Sequence, residues 1–167
     1  MTQTTEKQDD PFIIKLLKLS QDRGSLSHLR RYWSESTMHY AYPILGRLGV
    51  PDRRRPDAIT AALFSMSPHH KLGAVNIGTA CRKLAGENGM ESMEKHFRRL
   101  LACESLEEVA DRLSRLFKRM DRESILLDYN RLMWDLRNWD KKASDIKARW
   151  AMDFWQAPAE LSPSLES

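Results

Sequence analysis

Cysteine is scarce in this 167-residue chain: only Cys81 and Cys103 occur, and no Cys-x-x-Cys pair is present to bind a metal or cycle a disulfide. No secretory leader is visible, and no apolar run approaches the roughly 20 residues that a membrane span needs. A cytoplasmic protein with reduced thiols and no membrane contact is therefore expected. The chain is also too short for two independent cores: its 19.4 kDa, with 41% hydrophobic and 30% charged residues, suit one domain. A domain of this size hides about 70% of the surface its unfolded chain exposes, so neither disulfide nor structural metal is required for stability.

The usual marks of catalysis are missing too. The stretch Gly73-Ala-Val-Asn-Ile-Gly78-Thr79 has the glycine spacing of a phosphate loop but lacks the following lysine and a preceding strand, and it reads as a glycine-flanked turn entering a helix. No Gly-x-Ser-x-Gly elbow and no His-Glu-x-x-His pair occurs. His28, His39, His69, His70 and His96 are scattered, without the one-turn spacing that presents two ligands on a helix face, and read as surface histidines. Glu107 and Glu108 resemble a carboxylate pair, but in the first turn of a helix they oppose its positive end. The two cysteines read as small buried residues. A non-enzymatic chain without metal or cofactor is expected.

What the sequence does contain is helical periodicity. Apolar residues recur every three or four positions almost throughout, and no stretch alternates as a strand would. Helices are predicted over 12–21, 25–34, 56–66, 74–85, 92–102, 105–121, 128–139 and 140–155, with Tyr40 to Arg55 broken by Pro43, Gly46, Gly49 and Pro51. The clearest begins at Ser105, where Ser105 and Glu108 form a capping box, and carries the stripe Leu106, Val109, Leu113, Leu116, Phe117 and Met120. The expected fold is all-α: a helical bundle of about eight or nine helices, without a sheet, forming one domain over 11–156 with room for two subbundles. Residues 1–10 and 157–167, polar or rich in proline and serine, read as disordered tails.

Charge supplies the functional lead. The formal net charge is +4, from 27 basic and 23 acidic side chains. The ends hold five acids and one base, so the middle keeps 26 basic and 18 acidic side chains, a balance of +8. Such a surface favours a polyanionic partner. On the Ser105 helix, Arg112, Arg115, Lys118, Arg119 and Arg122 fall nearly opposite the apolar stripe. From Arg112 to Arg122 they extend roughly 15 Å, enough to meet more than one phosphate. The alternative is a solvated face neutralised by Glu108, Asp111 and Glu123. Further clusters are Arg30-Arg31, Arg53-Arg54-Arg55, Lys95 with Arg98-Arg99, and Lys141-Lys142. Brought together by the fold, they would form a groove that follows a sugar-phosphate backbone without reading sequence. Trp134 lies off its own helix's stripe, near Asn130 and Arg137; it either packs on a second helix or subunit or stacks on a base.

The ordered segments His28-Leu-Arg-Arg31, Tyr42-Pro-Ile-Leu45, Ala61-Ala-Leu-Phe64, Asn76-Ile-Gly78, Phe97-Arg-Arg-Leu-Leu101, Leu113-Ser-Arg-Leu116 and Leu127-Asp-Tyr-Asn-Arg-Leu132 lead to a closing Lys147-Ala-Arg-Trp-Ala-Met-Asp-Phe-Trp155. From about Leu26 to Trp155 this arrangement resembles CasB, the small subunit of the type I-E CRISPR Cascade complex. The resemblance implies an all-helical, non-enzymatic protein, present as two head-to-tail copies beside the other Cascade subunits and the crRNA. It further implies binding to target DNA and to the single-stranded displaced strand through a basic surface, which would stabilise the R-loop. Matched segment by segment, it points to Arg31, Arg54, Arg115, Arg119 and Lys141; charge position adds Arg55, Arg98, Arg99, Arg112, Lys118, Arg122 and Lys142. The competing expectation is a protein-only adaptor whose arginines meet acidic partners and whose Trp134 and Trp139 build interfaces.

Overall fold

The computed structural model describes residues 8–156. The described residues begin with two short helices fixed by aspartate caps. Asp10 accepts from the Phe12 amide at 2.8 Å to open α1 (Pro11–Leu19), and Asp22 accepts from Gly24 at 3.0 Å to open α2 (Arg23–Arg30). The helix expected over 25–34 ends at Arg30 and tightens into a 3₁₀ turn over Arg31–Trp33. The segment broken by glycine and proline resolves into a 3₁₀ turn (Met38–Ala41) and the short α3 (Tyr42–Arg47), which closes before Gly49 at φ +81°.

The next helix, α4 (Pro56–Met66), is buried at every position from Ala58 to Ser65 and packs on α2 and on the later helices α7 (Leu106–Arg122) and α8 (Tyr129–Arg137). It forms the centre of the molecule, which explains its apolar circumference. Tyr129 of α8 sits beside Phe64 and Phe117, with ring centroids at 5.1 and 6.2 Å, and donates its hydroxyl to the Ser67 carbonyl at 2.6 Å. The other half of the core joins α5 (Ile77–Ala85), α6 (Met90–Leu101) and α9 (Trp139–Trp155). Phe97 stacks on Phe154 at 4.2 Å, and Trp139 meets Trp150 at 5.6 Å. Lys142, at φ −131° and ψ 22°, kinks α9 near its start.

Two expectations need correction. Residues 74–76 are not helical: His70–Val75 is extended as β1, and α5 begins only after Asn76, whose side chain accepts from the Thr79 amide at 3.2 Å. The strand escaped notice because it pairs with one residue instead of a partner strand: His70 and Val75 both bridge to Leu127 around Gly73, at φ +81°. Asp9 and Asp10, assigned to a tail, are tied into the bundle. The Asp10 amide donates to Asn130 at 2.6 Å, and Asp9 accepts from His70 and Asn130, each at 2.8 Å. Residues 1–7 and 157–167, the rest of the expected tails, lie outside the described residues.

Candidate nucleic-acid interface

The basic surface is built on α7. Ser105 accepts from the Glu108 amide at 3.1 Å while Glu108 accepts from the Ser105 amide, the reciprocal box read from the sequence. Val109, Leu113, Leu116, Phe117 and Met120 are buried and Leu106 is half-buried, so the helix cannot rotate without exposing its stripe. That fixes where its arginines point.

They do not form one continuous face. Arg112, Arg115 and Arg119 converge with Arg99 and His96 of α6 on a shallow groove floored by Leu116. Lys118 and Arg122 turn to the other side, where with Arg30 they border a hollow against Ser65, Met66 and Pro68, together with Asp121. At 100° per residue the five share one arc of about 120° on α7, so the division comes from the flanking helices, which enclose one set beside α6 and the other beside Arg30 of α2 and the end of α4. The α6–α7 groove continues past Ala102 and Cys103 towards Glu108 and Asp111. Its acids are only partly spent on its bases. Asp111 pairs with Arg115 at 3.2 Å, but these side chains are 62% and 69% exposed. A pair so open to water contributes little to stability and yields readily to a phosphate.

The remaining expected site residues lie apart. Arg98 pairs with Glu94 at 2.8 Å and lies over the Trp155 ring at 5.0 Å, away from the groove that Arg99 enters. Arg31 stacks over Tyr40 at 4.7 Å. Arg53 and Arg54 border a separate hollow with Glu35, Glu107 and Asp111. Arg55 is exposed at the start of α4. Lys141 and Lys142 are exposed at the kinked end of α9, Lys142 with its ammonium 5.5 Å from the Trp134 ring centre.

Two basic groups were missed. His96 completes the groove. Lys147 lies over Trp139 at 5.6 Å, and its charge, with that of Arg112, reaches Cys103. His96 lies inside the Lys95 and Arg98-Arg99 cluster, one turn from Arg99, and was legible there; Lys147 sits in no charge run, and only its place two turns from Trp139 could have indicated it. Burial and the Glu108 charge raise the Cys103 thiol against those two cations. Burial pushes the Cys81 thiol up to about 12, and both cysteines are free and buried as expected.

The histidine expectation fails at one position. His70 has a side chain only 3% exposed and links Asp9 to the Leu127–Tyr129 backbone, whereas its neighbour His69 turns outward to Asp121 at 2.8 Å. Partial burial raises the Asp9 carboxyl, but hydrogen bonds from His70 and Asn130 outweigh this and hold it below the ordinary carboxylate range. Among the described residues, no group of three or more His, Cys, Asp or Glu side chains is placed to hold a metal, and no helix is long and apolar enough to cross a membrane.

The model of the CRISPR-associated protein Cse2 family matches residues 25–155. The chain belongs to this family. The matched span coincides with that of the ordered segments from Leu26 to Trp155. CasB from Thermobifida fusca superposes with a TM-score of 0.64 at 18% identity, covering 86% of this chain and 93% of that one. A Cse2-family protein from Thermus thermophilus gives 0.68 at 23% identity, covering 89% and 100%. A chain of a CRISPR RNA-guided surveillance complex gives 0.70 at 17% identity, covering 92% and 94%. No curated protein sequence matches. At these identities the superpositions show a shared fold, and this Cse2-family chain holds its basic groove on helices of that fold.

Proposed function

We propose that this chain is a non-catalytic small subunit of a type I-E CRISPR RNA-guided surveillance complex, a cytoplasmic Cascade assembly in which it occurs as two copies. Its role is to hold nucleic-acid backbone: the crRNA–target heteroduplex on one side and the displaced DNA strand on the other. The observation that carries this reading is the convergence of Arg99, Arg112, Arg115 and Arg119 on one groove between α6 and α7. Guanidinium groups present forked donors to phosphate, and each contact releases counterions from the strand. Family membership supports the assembly partners, since a chain of the same fold sits in a CRISPR RNA-guided surveillance complex.

Mechanistically, strand exchange between DNA duplex and RNA–DNA heteroduplex is nearly balanced, so a few phosphate contacts tip it. The groove makes such contacts without reading bases. No bond is made or broken by the chain. The test is the lifetime of an R-loop in a complex assembled with the Arg115→Glu/Arg119→Glu double variant. A shortened lifetime with intact assembly and helical content is expected. An unchanged lifetime removes the assignment, and failure to assemble identifies the groove as a contact for acidic protein partners.

A further inference from the structure

Another hollow lies away from the α6–α7 groove, where α8, α9, β1 and the start of the described chain meet. It is open to solvent, encloses about 520 Å³, and is bordered by Gln8, Leu72, Arg131, Trp134 and Arg149. Trp134 is 44% exposed although the five tryptophans include two of the largest fully buried side chains. Its surroundings are cationic. Lys142 and Arg149 place their charges 5.5 and 5.8 Å from the ring centre, and Arg131 is exposed at the rim.

Two of the acids nearby are committed to hydrogen bonds, while Asp145 is exposed on α9 between Lys142 and Arg149. Asp128, which also lines the hollow, accepts from the amides of Gly73, Asn130 and Arg131 and keeps its charge set against the positive end of α8. Asp135 is fully buried and takes both Arg149 guanidinium nitrogens, at 3.0 and 3.3 Å, along with the Trp150 indole at 2.9 Å. That clamp holds the Arg149 plane rigidly beside Trp134. Lys142 and Arg131 have no ion pair among the described residues and are cations available to an anionic ligand. An acidic peptide would use the charge alone, whereas a flat anionic ligand uses both the charge and the exposed ring.

We infer that this hollow is a nucleotide subsite for single-stranded nucleic acid, in which a base stacks on Trp134 and its flanking phosphate meets Arg131 and Lys142. The inference deepens the proposed function and rests on it, since it gives a displaced strand a second point of attachment that tolerates any sequence. Every base has a π face, so stacking does not discriminate, while a paired base inside a duplex cannot enter. The subsite therefore favours single strands over duplex, a preference that phosphate contacts in the α6–α7 groove do not supply.

The experiment is photocrosslinking of the full chain to a single-stranded oligonucleotide carrying 5-iodouracil, with the crosslinked peptide mapped by mass spectrometry. A crosslink on the peptide holding Trp134 is expected. Trp134→Ala should weaken single-strand binding about tenfold or more while leaving duplex binding within twofold, and Trp134→Phe should retain most of it. No crosslink at Trp134, or single-strand affinity unchanged in Trp134→Ala, overturns the inference; so does crosslinking of Trp134 to protein alone in the assembled complex. The Arg115→Glu/Arg119→Glu variant separates the two readings. If it loses binding while Trp134 is inert, the proposed groove stands and the subsite falls. If Trp134 crosslinks while that variant binds normally, the subsite stands and the groove assignment falls.

Discussion

Gly78 of α5 lies directly against the carbonyl of Trp150 in α9, so close that a Cβ at position 78 would overlap the oxygen. The neighbouring contact reinforces the crossing: the Asn76 amide donates to Asp153 one turn further along α9. In an isolated helix, Gly→Ala gains about 1 kcal/mol from propensity alone. Here the sign reverses, because the obstacle is helix backbone and cannot rotate away. Gly78→Ala should destabilise the fold by roughly 1–3 kcal/mol, the cost typical of overpacking, and lower the melting temperature measured by circular dichroism. A variant more stable than the parent would show that α5 and α9 slide apart easily.

The capping box sets the stability of the helix that carries the groove. Ser105→Ala removes the acceptor of the Glu108 amide, at 3.1 Å, and should cost about 1 kcal/mol in urea unfolding. Because Arg112, Arg115 and Arg119 lie two or more turns further along, the salt dependence of nucleic-acid binding should stay as in the parent. A changed salt slope would mean that fraying at Ser105 reaches the groove.

Much of this was legible in the residues, and the exceptions share a physical cause. The stripe and cap of α7 are local signals of period and hydrogen bonding, and the structure reproduces them. The strand at His70–Val75 is not local: it is extended only because Leu127, over 50 residues away, lies between its ends. The burial of His70 has the same origin, since its partners Asp9, Leu127 and Tyr129 come from both distant ends of the sequence. The basic face was visible as a set of arginines, but its division into two hollows depends on where α6, α2 and α4 pack, which no helical wheel of α7 contains.

Asp9 offers a pH test of that long-range knot. Its carboxyl is held below its ordinary value of 3.8 in the folded chain, so the folded state binds fewer protons there than the unfolded state. The stabilisation is thus present above about pH 4 and is lost as pH falls through the lowered value. Asp9→Asn should be less stable than the parent at pH 6, and the difference should shrink on acidification to pH 3. Unfolding midpoints of the two proteins across that range decide it; a constant difference would exclude the carboxylate charge as the cause.

The groove makes a quantitative prediction about salt. If Arg99, Arg112 and Arg119 each neutralise one phosphate of a single strand, then each Arg→Gln change should make the slope of log affinity against log salt shallower by about 0.7. Effects should be similar for unrelated sequences, because phosphate contacts carry no base information. Arg98→Gln should leave the slope unchanged, since Arg98 lies outside the groove that Arg99 enters, over the Trp155 ring. Anisotropy titrations over a salt series measure each slope.

Asp135 carries the largest single dependence. Its carboxylate is fully buried, and it satisfies the Arg149 guanidinium and the Trp150 indole N–H at once. Removing one side of a buried pair costs about 3–5 kcal/mol, because the partner's charge stays in a poorly solvated place. Asp135→Ala should therefore be severely destabilised. Arg149, with its side chain 27% exposed, can escape to water, which puts the loss towards the lower end of that range. The double change Asp135→Leu/Arg149→Met removes both charges and should recover part of the stability, leaving only the indole N–H unpaired. Chemical denaturation of the single and double variants measures the recovery, and a double variant no better than Asp135→Ala would show that the Trp150 hydrogen bond, not the ion pair, dominates.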